Sequence, residues 1–315
     1  MTLAAIDIGG TGSRYALFEH GVRPVPEIGP AIRVGRSGID AEKMLREILE
    51  GAESRRISTG VVRPSAVVVG MSGLLALVDT VGDITAVIQE VWPGAKTALA
   101  SDSVTAMVGA LGFIGGGVVA AGTGVVGLGT DFENIWHRVD GWGHVLGDDG
   151  GGAWLGAAGL KAGLRAHDGR GGSVLLLKAL MDRFGAPEKL PRQIYTREDR
   201  AGVLASFVPE VVRAAEAGDV IAEQIVSRAA ELLAETAIAC LLDGVPKRVS
   251  LVGGLRQIGA PILESFARAV HARGDFEIVE PAGDPMSGAF ALAELLSTDP
   301  DRMPHRPPYI TKEIP

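Results

Sequence analysis

Leu3-Ala4-Ala5-Ile6-Asp7-Ile8-Gly9-Gly10-Thr11-Gly12-Ser13-Arg14-Tyr15-Ala16-Leu17-Phe18 decides the fold. The unbroken apolar run to Ile8 reads as a strand covered on both faces. The glycines after it form a turn, and residues 12–19 return as a second strand with partial alternation. A carboxylate, Asp7, stands where the first strand gives way to the turn. After ~115 residues the layout recurs in Gly115–Thr130, GGGVVAAGTGVVGLGT, as strand, glycine turn and strand. Two such openings in one chain imply two related α/β halves.

Working outward from the first opening, a short third strand is expected near Ala31–Val34. Asp40 then caps a helix whose Met44, Leu45, Ile48 and Leu49 share one face. Residues 64–73, PSAVVVGMSG, carry a buried strand, and TAVIQEVWP is a helix stopped by Pro93. The strand AKTALASD and the helix SVTAMVGALG complete the first half. The second half continues with a strand near Ile135–Val139, a glycine-rich loop from Asp140 to Gly152, and helices to about Asp243. Strand RVSLVGG, helix PILESFARAVHARG, strand FEIVEP and helix MSGAFALAELLS follow. The expected organisation is an N-terminal domain 1–115, a C-terminal domain 116–297, and a loosely attached tail 298–315 rich in Pro and charge.

Composition narrows the function classes. Of 315 residues, 47% are hydrophobic and 22% charged, as in a globular protein, and the 44 glycines form no collagen period. A net charge of -8 argues against a nucleic-acid partner. It leaves room for an anionic ligand held by backbone N–H groups. The single cysteine, Cys240, sits in an apolar helical stretch and makes neither a disulfide nor a Cys-rich zinc site. Met1-Thr2-Leu3 runs straight into the first strand, with no leader, and no glycine-free apolar run suits a membrane span. A cytoplasmic protein with no membrane partner is expected.

Five segments carry the chemistry. Gly9, Gly10, Thr11, Gly12 and Ser13 can aim backbone N–H groups and two hydroxyls at phosphate oxygens, with Asp7 available to a metal ion through water. Gly122-Thr123-Gly124 occupies the matching place in the second half. Asp102, between a buried strand and a helix, is either an N-cap or a functional carboxylate at a strand's C-terminal end. Asp140-Gly141-Trp142-Gly143-His144-Val145-Leu146-Gly147-Asp148-Asp149-Gly150-Gly151 suits a polyol: carboxylates accept hydroxyl hydrogen bonds and the indole covers an apolar sugar face. Asp148 and Asp149 could also serve the N-terminus of the next helix. Gly253-Gly254, read with Gly283–Ala289, would let a flat purine lie against backbone. Neither G-x-x-x-x-G-K-[ST] nor G-x-G-x-x-G after the first strand occurs.

Taken in this order, the segments resemble the acetate and sugar kinase, heat-shock protein and actin superfamily. Within it they resemble the N-acetylglucosamine kinase and BadF/BadG-type ATPase family, over about Leu3 to Leu296. The resemblance implies an α/β fold of two ribonuclease H-like (actin/hexokinase-like) domains with a central cleft. It implies ATP with Mg²⁺, an amino sugar such as N-acetylglucosamine phosphorylated at its 6-hydroxyl, and a homodimer. It assigns Gly9–Ser13 and Gly122–Gly124 to phosphate, Gly253 and Gly254 to adenosine, and Asp102 to catalysis. Gly141, Trp142, Gly143 and Asp148 would hold the sugar with Asp102. The chain departs from the family at Gly35-Arg36-Ser37-Gly38, where a sugar-binding Asn is usual, and at Asp149, where Glu is common. A dehydratase-activating ATPase of the same superfamily would need two cysteines per subunit for a shared iron–sulfur cluster. A sugar-sensing regulator would need an arm before the first strand, and the zinc-bearing repressor/kinase group a Cys cluster. None of these is present in the sequence.

Overall fold

A computed structural model of the chain describes residues 1–9, 12–30, 34–35, 38–39, 41–74 and 81–315. Gly10, Thr11, the Asp40 cap, Arg36-Ser37 and most of the strand expected at 31–34 lie outside the described residues.

The chain divides into two compact units, one of Met1–Gly115, Asp131–Trp136 and Pro281–Pro315, the other of Gly116–Thr130 and His137–Glu280. In chain order the first unit builds β1 (Thr2–Gly9), β2 (Gly12–Glu19), β3 (Glu27–Ile28), a small hairpin of β4 (Val34–Gly35) and β5 (Gly38–Ile39), α1 (Ala41–Thr59), β6 (Ala66–Met71), α2 (Val81–Val91), β7 (Lys96–Ser101) and α3 (Asp102–Leu111). The second builds β8 (Gly116–Ala121) and β9 (Val125–Thr130). It continues with β10 (Trp136–Asp140), α4 (Gly152–His167), α5 (Val174–Phe184), α6 (Leu190–Tyr195), α7 (Arg200–Ala205), α8 (Val208–Glu216), α9 (Val220–Ala239), β11 (Arg248–Val252), α10 (Ala260–His271) and β12 (Glu277–Ile278). Finally α11 (Pro285–Thr298) and β13 (Ile310–Glu313) return to the first unit.

The two sheets run β13-β7-β6-β1-β2-β3 and β10-β9-β8-β11-β12. Set aside β13, and each has the same order: third, second, first, fourth, fifth. In each, the first two strands are an antiparallel hairpin and the fourth pairs parallel with the first. This is ribonuclease H-like topology, built twice.

Period-two alternation sorts the first sheet's side chains. Ile6, Ile8, Val67, Val69, Met71 and Leu99 join Leu45, Ile48, Leu49, Ile84 and Ile88 in one core under α1 and α2. The opposite face carries α3 and α11, whose backbones meet closely: a side chain at Gly109 would strike the Asp284 carbonyl, and one at Gly288 the Thr105 carbonyl. Gly288 thus serves helix packing within the first unit, while Gly253 belongs to the second. Gly253-Gly254 and Gly283–Ala289, read together from the sequence, thus stand in different units.

The tail is not loose. Ile310 is 0% exposed and Met303 2%. β13 pairs antiparallel with β7, and the Ser101 amide donates to the Tyr309 carbonyl at 2.8 Å. The chain covers what would otherwise be an open sheet edge.

Candidate active site

The β1–β2 hairpin pairs Gly9 with Gly12, Ile8 with Ser13 and Asp7 with Arg14. Alternation therefore sends Ser13 to the Ile8 side, where it is 2% exposed and its Oγ donates to the Pro30 carbonyl at 2.8 Å. The expected phosphate-binding hydroxyl is spent inside the unit, which leaves Ser13 only its backbone for a ligand. No atom of the described residues lies within 4 Å of where a Cβ would stand at Gly12.

Asp7 and Arg14 point to the other face. Arg14 bridges Asp7 at 2.8 Å and Asp284 at 2.7 Å. Asp284 is the N-cap of α11, accepting from the Ser287 amide at 2.9 Å, with Pro285 in the first turn. Burial pushes the Asp7 carboxyl above its usual value, against the pull of the Arg14 hydrogen bond and charge. Burial would raise Asp284 too, but the Ser287 amide and Arg14 hold it below the usual range. Arg14 escaped the sequence reading, and Asp284 entered it only within the Gly283–Ala289 segment; the pairing of Gly9 with Gly12 is what places 14 opposite 7.

Asp102 is the first residue of α3, and the N-cap position falls to Ser101. Asp102 is therefore not the cap, though a carboxylate in a first turn remains favourable. It is half-buried at the C-terminal end of β7. Its surroundings are firm: Ser101 Oγ and Ser103 Oγ lie 2.8 Å apart, buried, and Thr105 Oγ1 donates to the Asp102 carbonyl at 3.0 Å.

In the second unit the Gly122-Thr123-Gly124 turn joins β8 to β9. Its carbonyls are taken by the start of α4: the Gly152 amide donates to Gly122 O at 2.8 Å and the Ala153 amide to Thr123 O at 2.9 Å. The Gly122 amide is used by Gly124 O at 2.9 Å. Among the described residues, the Thr123 and Gly124 amides have no protein acceptor. Adjacent backbone N–H groups of this kind are the raw material of an anion-binding nest.

The Trp142 loop is tied to that turn. Asp148 takes the left-handed conformation, φ 58°, as does Asp140, φ 62°. The Asp148 amide donates to Asp140 Oδ1 at 2.8 Å, and Asp148 Oδ1 accepts from the Gly143 amide at 3.0 Å. Asp148 Cγ lies 3.0 Å from where a Cβ on Gly124 would stand, with Oδ2 closer still. Burial pushes the Asp148 carboxyl up; the Gly143 amide opposes this, and Asp140 adds to it. The N-cap of α4 is Gly151, with no side-chain cap, so neither Asp148 nor Asp149 caps that helix. Trp142 is 67% exposed and lies under the Arg138 guanidinium, 5.1 Å from ring centre to Cζ. Arg138 Nη2 also donates to the Gly141 carbonyl.

Gly253 has φ 95°, and a Cβ there would lie 2.5 Å from the Ala121 carbonyl. Its lack of a side chain lets β11 end against β8. Gly254 faces open space. Cys240 is buried, and burial pushes its thiol up to about 12, which makes it a poor cluster ligand. Among the described residues, no three His, Cys, Asp or Glu side chains gather as a metal site, and no helix is long and apolar enough to cross a membrane.

Two ribonuclease H-like units in one chain define the actin/hexokinase-like fold class. The chain belongs to the BadF/BadG/BcrA/BcrD ATPase family, whose sequence profile matches residues 5–293. It is 26% identical over 298 residues to an N-acetylmuramic acid/N-acetylglucosamine kinase of Clostridium acetobutylicum, covering 91% of this chain and 96% of that one. It is 25% identical to an N-acetyl-D-glucosamine kinase of Dictyostelium discoideum, covering 80% of each. Among solved structures, a Chromobacterium violaceum protein provisionally named N-acetylglucosamine kinase superposes with a TM-score of 0.74 at 27% identity, over 92% of this chain and 97% of that one. A glucokinase of the ROK family from Streptomyces griseus shares the fold, with a TM-score of 0.59 at 15% identity, over 94% of this chain and 99% of that one.

Proposed function

We propose that this protein is an ATP-dependent kinase that phosphorylates N-acetylglucosamine, or a closely related amino sugar, at the 6-hydroxyl. The observation that carries this reading is the seating of Asp148 on Gly124. It joins a loop suited to a polyol directly to a turn suited to phosphate. The two amino-sugar kinases to which the chain is similar support the choice of acceptor.

In this reading Asp148 accepts hydrogen bonds from sugar hydroxyls, Gly141 and Gly143 keep side-chain bulk out of the way, and Trp142 covers an apolar face of the ring. Asp102 takes the proton of the attacking hydroxyl. As the new bond from the sugar oxygen to the γ-phosphorus forms, the bond to the bridging oxygen of ADP breaks. The Thr123 and Gly124 amides, with Gly9–Gly12 in the first unit, bear the phosphate charge, and Gly254 offers bare backbone to the base. Most of the rate enhancement comes from positioning and electrostatics. Magnesium bound with nucleotide keeps waters and uses one or two carboxylates. Asp7 fits such a water-mediated role: Arg14 engages its Oδ2, and among the described residues no hydrogen bond is made to its Oδ1. When bound, the ion would neutralise phosphate charge.

The test is a coupled ADP-release assay across N-acetylglucosamine, N-acetylmuramic acid, N-acetylmannosamine, glucosamine and glucose, with phosphorus NMR of the product. N-acetylglucosamine should give the highest kcat/KM and a 6-phosphate. A tenfold preference for glucose, or ADP release that ignores sugar, would overturn the reading.

A further inference from the structure

Asp140 closes β10 and has no place in the proposed chemistry, yet it holds the loop that does. Its backbone is left-handed at φ 62°, a conformation that disfavours most side chains, although Asp tolerates it better than most. Left-handed backbone in a non-glycine residue persists where the surroundings impose it. Eight residues on, Asp148 is left-handed too, at φ 58°. The two are joined by the Asp148 amide donating to Asp140 Oδ1 at 2.8 Å. That same oxygen packs against Gly147, where a Cβ would strike it. Asp148 in turn fixes Gly143 through its amide at 3.0 Å. The chain of contacts runs from Asp140 to Asp148 and back to the residue beside Trp142. At the near end, Arg138 holds Gly141 and Trp142. Cutting the Asp140 link leaves the Asp148 backbone in a costly conformation with one fewer restraint.

We infer that Asp140 is a positioning residue: it accepts the Asp148 amide and so sets the loop that presents the Asp148 carboxylate. The kinetic half of this inference rests on the proposed function; the structural half does not. A neutral acceptor can do the same work, so Asn, which also tolerates left-handed backbone, should substitute, and Ala should not.

The experiment compares Asp140→Ala and Asp140→Asn with wild type in two measurements. The first is the pair of KM values. Asp140→Ala should raise the sugar KM about tenfold, the fold-change one hydrogen bond carries, with the ATP KM within about twofold. Asp140→Asn should stay within about threefold of wild type for both. The second measurement needs no activity: fluorine NMR of protein labelled with 5-fluorotryptophan, the Trp142 resonance assigned with Trp142→Phe. Asp140→Ala should move that resonance alone among the four tryptophans, and Asp140→Asn should restore it. If wild type turns over no sugar, the functional reading falls and the resonance alone judges the positioning role. An unmoved resonance in Asp140→Ala overturns it. Equal rises in both KM values overturn it, as does a failure of Asn to rescue.

Discussion

The Asp148 carboxylate occupies the space that a side chain on Gly124 would need. Gly124 is therefore glycine for a reason internal to the protein as well as for any ligand. From sequence alone, a bulky residue at 124 should disturb ATP more than sugar. The contact revises that expectation. Gly124→Ala should displace Asp148 and raise both KM values by similar factors. Combined with Asp148→Ala, its effect should be clearly less than additive, because the two residues share one contact. A double-variant cycle on kcat/KM checks this; simple additivity would contradict it.

Asp102→Asn should lower kcat by ~10²–10⁴-fold, the usual loss of a general base. Since Ser101 holds the N-cap position, the fold should survive, with Tm and ATP affinity unchanged. Steady-state kinetics and calorimetry on the one variant test both halves.

Asp148→Ala should raise the sugar KM roughly ten- to a hundredfold, as loss of a hydrogen bond to a charged acceptor of about 1.5–3 kcal/mol would. The ATP KM should move little. Burial holds the folded-state pKa of this carboxyl above its usual value, so the folded state binds the proton more tightly than the unfolded chain does. Its ionisation therefore weakens the fold. Wild type should gain stability over Asp148→Ala as pH falls from above the folded-state pKa towards the ordinary aspartate value of 3.8. Sugar binding should weaken over the same window, as the acceptor is lost. Paired thermal melts and sugar titrations between neutral pH and pH ~4 measure the two opposed trends.

Ile310→Ala should destabilise the protein by about 2–4 kcal/mol, the range for truncating a fully buried aliphatic side chain. A tail that merely trailed would show no such effect. The loss should appear as a lowered Tm, and in kcat as well, because β13 pairs with the strand that delivers Asp102.

The fold was legible because it is written in local patterns. Buried strands such as Ala66–Met71 read as valine runs, and the glycine turn at Gly9 is echoed at Gly122. The site was legible only in outline. Ser13 looked like a phosphate donor until strand alternation placed it beside Ile8. Asp102 read equally as a cap or a functional carboxylate, because caps and first-turn acids draw on the same residue type; only the helix boundary removes the cap. The tail looked detached because Pro and charge outnumber its two anchors, Met303 and Ile310. The Arg14–Asp284 link joins residues 270 apart, the Asp140–Asp148 link closes one loop eight residues long, and no periodicity announces either. The packing role of Gly288 was hidden for a related reason: a glycine needed by a neighbouring helix and one needed by a ligand are the same letter.

The return of residues 281–315 to the first unit also bears on how the chain is made. A ribosome finishes most of the second unit while the first still lacks α11 and β13. Until those emerge, the α3 face has no partner and the edge of β7 is open, although residues 1–115 were synthesised first. The usual order, N-terminal domain first, should be reversed here. Protease resistance of nascent chains should therefore reach Asp102 only once residues 310–313 have left the ribosome and can pair with β7.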